Sequence, residues 1–87
     1  MALVTSQNAL STAAEQVFAP NQHRVYAEIK NLDAAIIVYI GPDSGVTSSN
    51  GYPIPAGGFF GFQNMGDAVW AIAASGTPNT ALIEWSR

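Results

Sequence analysis

Arg24-Val25-Tyr26-Ala27-Glu28-Ile29-Lys30 runs through Asn31-Leu32-Asp33 into Ala34-Ala35-Ile36-Ile37-Val38-Tyr39-Ile40-Gly41, and this stretch decides the fold class. In its first part Val25, Ala27 and Ile29 alternate with Tyr26, Glu28 and Lys30, the period of a strand with one face on a core and one in water. Asn31-Leu32-Asp33 is turn chemistry. Residues 35–40 are apolar on both faces, Ile36-Val38-Ile40 and Ile37-Tyr39, so this second strand is expected to be covered twice. A second sheet of the same domain supplies one cover, and a neighbouring subunit is expected to supply the other.

The same grammar extends outward in both directions. Residues 41–58 hold Gly41-Pro42-Asp43, Ser48-Ser49-Asn50-Gly51, Pro53, Pro55 and Gly57-Gly58, too many breakers for a helix or a central strand, and are expected to form an ordered loop. Residues 59–62 read as a short strand, Asn64-Met65-Gly66-Asp67 as a turn, and 68–74 as a strand that places Trp70 and Ile72 together. Ser75-Gly76-Thr77-Pro78-Asn79 leads to a last strand over 80–85, where Ala81, Ile83 and Trp85 oppose Leu82 and Glu84. Toward the N-terminus, residues 9–17 have some helical character, with Ser11 as a cap and Glu15 near the first turn. Extended structure is preferred, because Leu3-Val4-Thr5 and Gln16-Val17-Phe18 read as strand pieces around a polar bend. The expectation is one all-β domain, a compact antiparallel β-sandwich or barrel of about six to eight short strands. Residues 1–18 would form an N-terminal arm or first strands in contact with neighbours, and residues 19–87 the core.

Size and composition narrow the function. A chain of 87 residues hides only about 60 to 65% of its unfolded surface, which limits its stability to about 5 to 10 kcal/mol without help. Cysteine is absent, which removes disulfides and thiolate metal sites, and the single histidine, His23, makes no multi-histidine site. Only 10% of residues are charged, against about a quarter in a typical soluble domain, and 48% are hydrophobic. A surface so poor in charge suits a protein packed against other subunits. The basic residues Arg24, Lys30 and Arg87 are dispersed in a chain of net charge −3, so no nucleic-acid partner is expected. No stretch reaches the ~18 to 20 apolar residues of a membrane span, and the N-terminus lacks a signal-peptide pattern, so no membrane partner is expected and synthesis in the cytoplasm is.

Chemistry finds little support in the residues. His23 has no nominated acid partner or nucleophile and reads as a turn residue. Glu28 and Glu84 are a conceivable cross-strand carboxylate pair, whereas Asp33, Asp43 and Asp67 read as turn residues whose side chains bond nearby backbone N–H groups. Gly57, Gly58 and Gly61 lack the Gly-Lys-Ser/Thr continuation of a phosphate loop and read as conformational. No cofactor or metal is expected, and no enzymatic activity. The candidate interaction surface is Leu3, Val4, Tyr39, Tyr52, Ile54, Phe59 and Phe60, apolar residues on the arm, the doubly apolar strand and the loop with its exit.

Five segments form a series: Phe18-Ala19-Pro20-Asn21-Gln22-His23-Arg24, then 36–41, then Val46-Thr47-Ser48-Ser49-Asn50-Gly51-Tyr52-Pro53-Ile54-Pro55-Ala56-Gly57, then Trp70-Ala71-Ile72-Ala73-Ala74-Ser75-Gly76-Thr77, and Ile83-Glu84-Trp85. In order and spacing this series resembles small β-sandwich virion structural proteins of tailed bacteriophages, over about residues 17–86. It departs from their pattern at Ile54, where Leu is usual, and at Ala56-Gly57-Gly58-Phe59, which replaces a Pro-Gly-Glu-like ending. The resemblance implies a capsid decoration or cement protein on the outer surface of the head, a homotrimer whose partner is the major capsid protein. A tail or fibre module of the same fold is its alternative, with Tyr52, Phe59, Phe60 and surface asparagines contacting a glycan.

Overall fold

The computed structural model describes residues 2–87. Eight strands follow one another among these residues, with no helix: β1 (Ala2–Ala9), β2 (Glu15–Phe18), β3 (Arg24–Asn31), β4 (Val38–Gly41), β5 (Tyr52–Ile54), β6 (Phe59–Gln63), β7 (Val69–Ala73) and β8 (Asn79–Ser86). They form two four-stranded sheets, sheet A in the order β1-β8-β3-β6 and sheet B in the order β2-β7-β4-β5, and every pairing is antiparallel. This is the strand order of a jelly roll, in which two Greek keys make a sandwich. The all-β sandwich read from the sequence is the fold found. Its radius of gyration of 12.0 Å is the value expected for one domain of this length.

Alternation builds the core as expected. Ala27 and Ile29 of β3 and Leu82 of β8 face inward from sheet A, and Val38, Ile40, Ile54, Val69, Ala71 and Ala73 face them from sheet B. Each large aliphatic side chain hidden this way contributes roughly 1.5–3 kcal/mol. The N-terminal segment is extended rather than helical. Its chain leaves β1 at Leu10, whose amide bonds the Pro78 carbonyl at 2.9 Å, and the Ser11 carbonyl then accepts the Ala73 amide at 2.8 Å. These bonds to β7 and its exit are the backbone partners that a local helix would have supplied.

Two expectations for the middle of the chain are corrected. The strand expected over 35–40 begins only at Val38, because the Asp33 carboxylate accepts the amides of Ala35 (2.9 Å) and Ile36 (2.7 Å) and holds the chain in a bend. Those bonds keep the Asp33 carboxyl below the ordinary carboxylate range, the Ile36 amide contributing most. The segment 41–58 is not loop throughout, since residues 52–54 pair with β4 as β5. Pro53 is tolerated there because β5 is an edge strand, where one face of the backbone needs no ladder partner.

Two buried polar side chains tie the sheets and loops together. Asn31, fully buried at the end of β3, donates to the carbonyls of Ile36 (2.7 Å) and Ile54 (3.1 Å) and accepts the Asp33 amide (3.0 Å). Arg24 is also buried, although strict alternation from Tyr26, Glu28 and Lys30 places it outside. A bulge between Arg24 and Tyr26, in the pairing with β8, shifts the pleat by one residue and turns Arg24 inward. There its guanidinium meets the Glu84 carboxylate at 2.6 Å and donates to the carbonyls of Ala19, Met65 and Asp67. The Phe18 and Phe62 rings lie 5.5 and 5.6 Å from its Cζ. One side chain thus fixes the β2–β3 loop, the β6–β7 loop and β8.

Candidate interaction surface

The outer face of sheet A is generated by the register of its strands. Leu3, Trp85, Tyr26 and Gln63 stand in one row across β1, β8, β3 and β6; Thr5, Ile83, Glu28 and Gly61 form the next, and Gln7, Ala81, Lys30 and Phe59 the third. The opposite side of the same strands carries Ala27, Ile29 and Leu82, so these rows face away from the core. Leu3 and Phe59, each 64% exposed, and Trp85, 41% exposed, are its most exposed large apolar members. Between them lies a shallow depression of about 330 Å³ bordered by Thr5, Gln7, Glu28, Lys30 and Ile83. The Tyr26 ring lies across Gly61, at which a Cβ would collide with the phenol, and its hydroxyl donates to Glu28 at 2.7 Å. That bond to a carboxylate raises the Tyr26 pKa above its ordinary value.

At β1 the sandwich is uncovered on both sides. Seven of its eight residues are exposed, including Val4 on the core-facing side at 57%. Val4 stands opposite Glu84, in the row of Ala27 and Phe62, yet sheet B does not extend over it. Sheet A therefore overhangs sheet B at this edge.

The residues expected to make contacts divide into three groups. Leu3, Val4 and Phe59 lie on sheet A and are open to solvent. Tyr52, 60% exposed, packs on half-buried Phe60 with ring centroids 5.2 Å apart, and the two border an open cleft of about 250 Å³ with Ile40, Pro42, Phe62 and Met65. Phe59 and Phe60 point to opposite faces, as neighbours in a strand must. Tyr39 is half-buried beside Ile72 and Pro53 on the outer face of sheet B. Ile54 is a correction: at 1% exposure it belongs to the core, because β5 turns it toward Val38 rather than to the surface.

The carboxylates do not converge. Glu28 is on the outer face of sheet A with Tyr26, while Glu84 is on the inner face with Arg24, so the cross-strand pair considered from sequence is separated by the sheet. Asp33 and Asp43 bond backbone amides as turn residues, and Asp67 offers its backbone carbonyl to Arg24. His23 is exposed in a turn, its amide bonded to Asn21 Oδ1. Sequence reasoning missed Trp85 and Ile83 as surface residues. The signal was present, since both alternate with Leu82, but the inward face of β8 is fixed only by its pairing with β3.

No protein-family model matches the sequence, and no curated protein matches it significantly. Among solved structures, a subunit reported under the description "Bacillus endospore appendages form a novel family of disulfide-linked pili" superposes with a TM-score of 0.61 at 17% identity, covering 98% of this chain and 85% of that one. A chain of the cyanophage Pam1 capsid asymmetric unit gives a TM-score of 0.41 at 15% identity, with 98% and 85% covered. The first of these likenesses is one of fold alone.

Proposed function

We propose that this protein is a structural subunit that acts by contact within an assembly, and that the assembly is the virion of a tailed phage. In this reading it is a decoration protein on the outer surface of the head, made in the host cytoplasm, associating as a trimer and holding neighbouring major capsid subunits together. The observation that carries the proposal is the uncovered apolar side of sheet A, Leu3, Trp85 and Phe59 beside an exposed and uncharged β1, in a chain with very few charges to keep copies apart. The series of turn motifs that resembles phage virion proteins supports the choice of particle. The spore appendages are described as disulfide-linked pili; this chain has no cysteine, so no disulfide joins it to a neighbour.

Immunogold electron microscopy of purified virions, with antibody raised to this chain, tests the reading. Dense label over the head is the expected result. Label confined to the tail tip or fibres would move the protein to the receptor-binding alternative, for which the Tyr52–Phe60 cleft is the place to seek a glycan. Particles without label would remove the virion assignment.

A further inference from the structure

We propose that a second copy of this chain continues sheet A, the open edge of β1 in one protomer pairing antiparallel with the open edge of β6 in the next. The inference rests on the assembly reading above and names the strands that make the contact. Its first support is the difference among the four edge strands. Sheet B ends on β5, three residues long with Pro53 at its centre, and on β2, four residues long with a charged Glu15 and a register shift between Gln16 and Phe18. Short length, proline, charge and bulges are the means by which proteins keep a strand edge from pairing with another chain. Sheet A ends on Ala2–Ala9 and Phe59–Gln63, and neither strand holds a proline or a charged residue. The ladder with β8 occupies one side of β1, and the ladder with β3 occupies one side of β6. Alternate amides and carbonyls of each strand point the other way, toward no strand.

Direction selects the partner. Strands alternate across β1-β8-β3-β6, so β1 and β6 run oppositely. A copy displaced sideways in the plane of the sheet, without being turned over, therefore presents its β1 antiparallel to the β6 it meets. The outer faces then fall on the same side, so that Phe59 of one protomer and Leu3 and Trp85 of the next lie on one continuous face. A symmetric β1-to-β1 pair would leave the β6 edge open in both copies, whereas the head-to-tail contact covers both edges with one interface. Such a heterologous contact closes into a ring or runs on, according to the rotation it imposes.

The absence of native cysteine makes the test clean. Leu3→Cys, Thr5→Cys and Gln7→Cys are made singly on β1, and Gln63→Cys on β6. All four positions are exposed on the outer face, and successive outer residues sample the registers that keep the outer faces together. Each β1 variant is mixed in equal amount with an isotope-labelled β6 variant, oxidised gently, and the disulfide dimers are told apart and counted by mass, with circular dichroism confirming that each variant is folded. The expected result is a mixed β1–β6 dimer several times as abundant as the two homodimers together for at least one β1 position, where random pairing of an equal mixture makes them equal. Excess β1–β1 dimer would overturn the inference in favour of the symmetric pair. Oligomers in native mass spectrometry without enriched mixed cross-links would overturn it while leaving an assembly through another surface. A chain that stays monomeric with only statistical cross-linking would also overturn it, and the virion labelling would then decide the assembly reading separately.

Discussion

Sheets A and B contain four strands each and enclose one core, but they finish their surfaces differently. Sheet B has short strands, blunted edges and an outer face on which Tyr39, Trp70 and Ile72 are half-buried. Sheet A has three strands of eight residues, two unguarded edges, and an outer face on which Leu3, Phe59 and Trp85 stay exposed. Apolar outward residues therefore do not by themselves mark an interface. The strand expected from sequence to need a neighbour's cover, β4, lies in the sheet whose outward apolar residues are half-buried, and the more exposed ones belong to the other sheet.

The most severe way to break this arrangement is through the side chain that joins the loops to both sheets. Arg24→Met should cost about 3–5 kcal/mol in urea denaturation, because it leaves Glu84 and the three carbonyls that Arg24 satisfies without their partner. That is a large share of the ~5–10 kcal/mol available to a domain of this size. A loss below about 1 kcal/mol would mean that the guanidinium is not what holds the two loops.

Ile54→Ala tests the corrected placement of that residue. A core position predicts a loss of about 2–5 kcal/mol by the same measurement, and a surface one almost none. Asn31→Ala is expected to cost about 1–3 kcal/mol, since the carbonyls of Ile36 and Ile54 lose a buried donor; unchanged stability would show that they find other partners.

Asp33 gives a pH signature. Its folded-state pKa is lowered by the Ile36 and Ala35 amides, so its contribution is present above the unfolded carboxylate value of about 3.9 and is lost as pH falls through the folded value beneath it. The stability difference between wild type and Asp33→Ala should therefore shrink as urea titrations are moved from pH 6 toward pH 3. A pH-independent difference would place the effect in the bend's backbone rather than in its charge.

The smallest effects on folding are expected on sheet A. Leu3→Lys and Phe59→Ser should change the unfolding free energy by no more than about 0.5 kcal/mol, because both side chains are mostly in water. Sedimentation of the same variants sharpens the comparison, since Leu3→Lys puts a charge on an edge strand that has none and should reduce association.

Strand identity was legible wherever one face is buried without irregularity. Residues 26–30, 59–62, 69–73 and 80–85 alternate as written, and their strands lie where expected because the pleat fixes side-chain direction residue by residue. The candidate surface was half legible. Leu3, Val4, Tyr52 and Phe59 are apolar and exposed, whereas Ile54 is apolar and buried, and composition treats them alike.

The sequence alone determined the all-β class and the poverty of charge, since these follow from local alternation, turn residues and composition. Tertiary structure decided the inward turn of Arg24, the pairing of β5 despite Pro53, the burial of Ile54 and the choice of sheet A as the open side. A bulge that shifts the pleat, an edge that tolerates proline and the reach of one sheet over another all depend on which distant strands become neighbours. Those neighbours are separated by tens of residues in the chain, beyond the range of any local pattern.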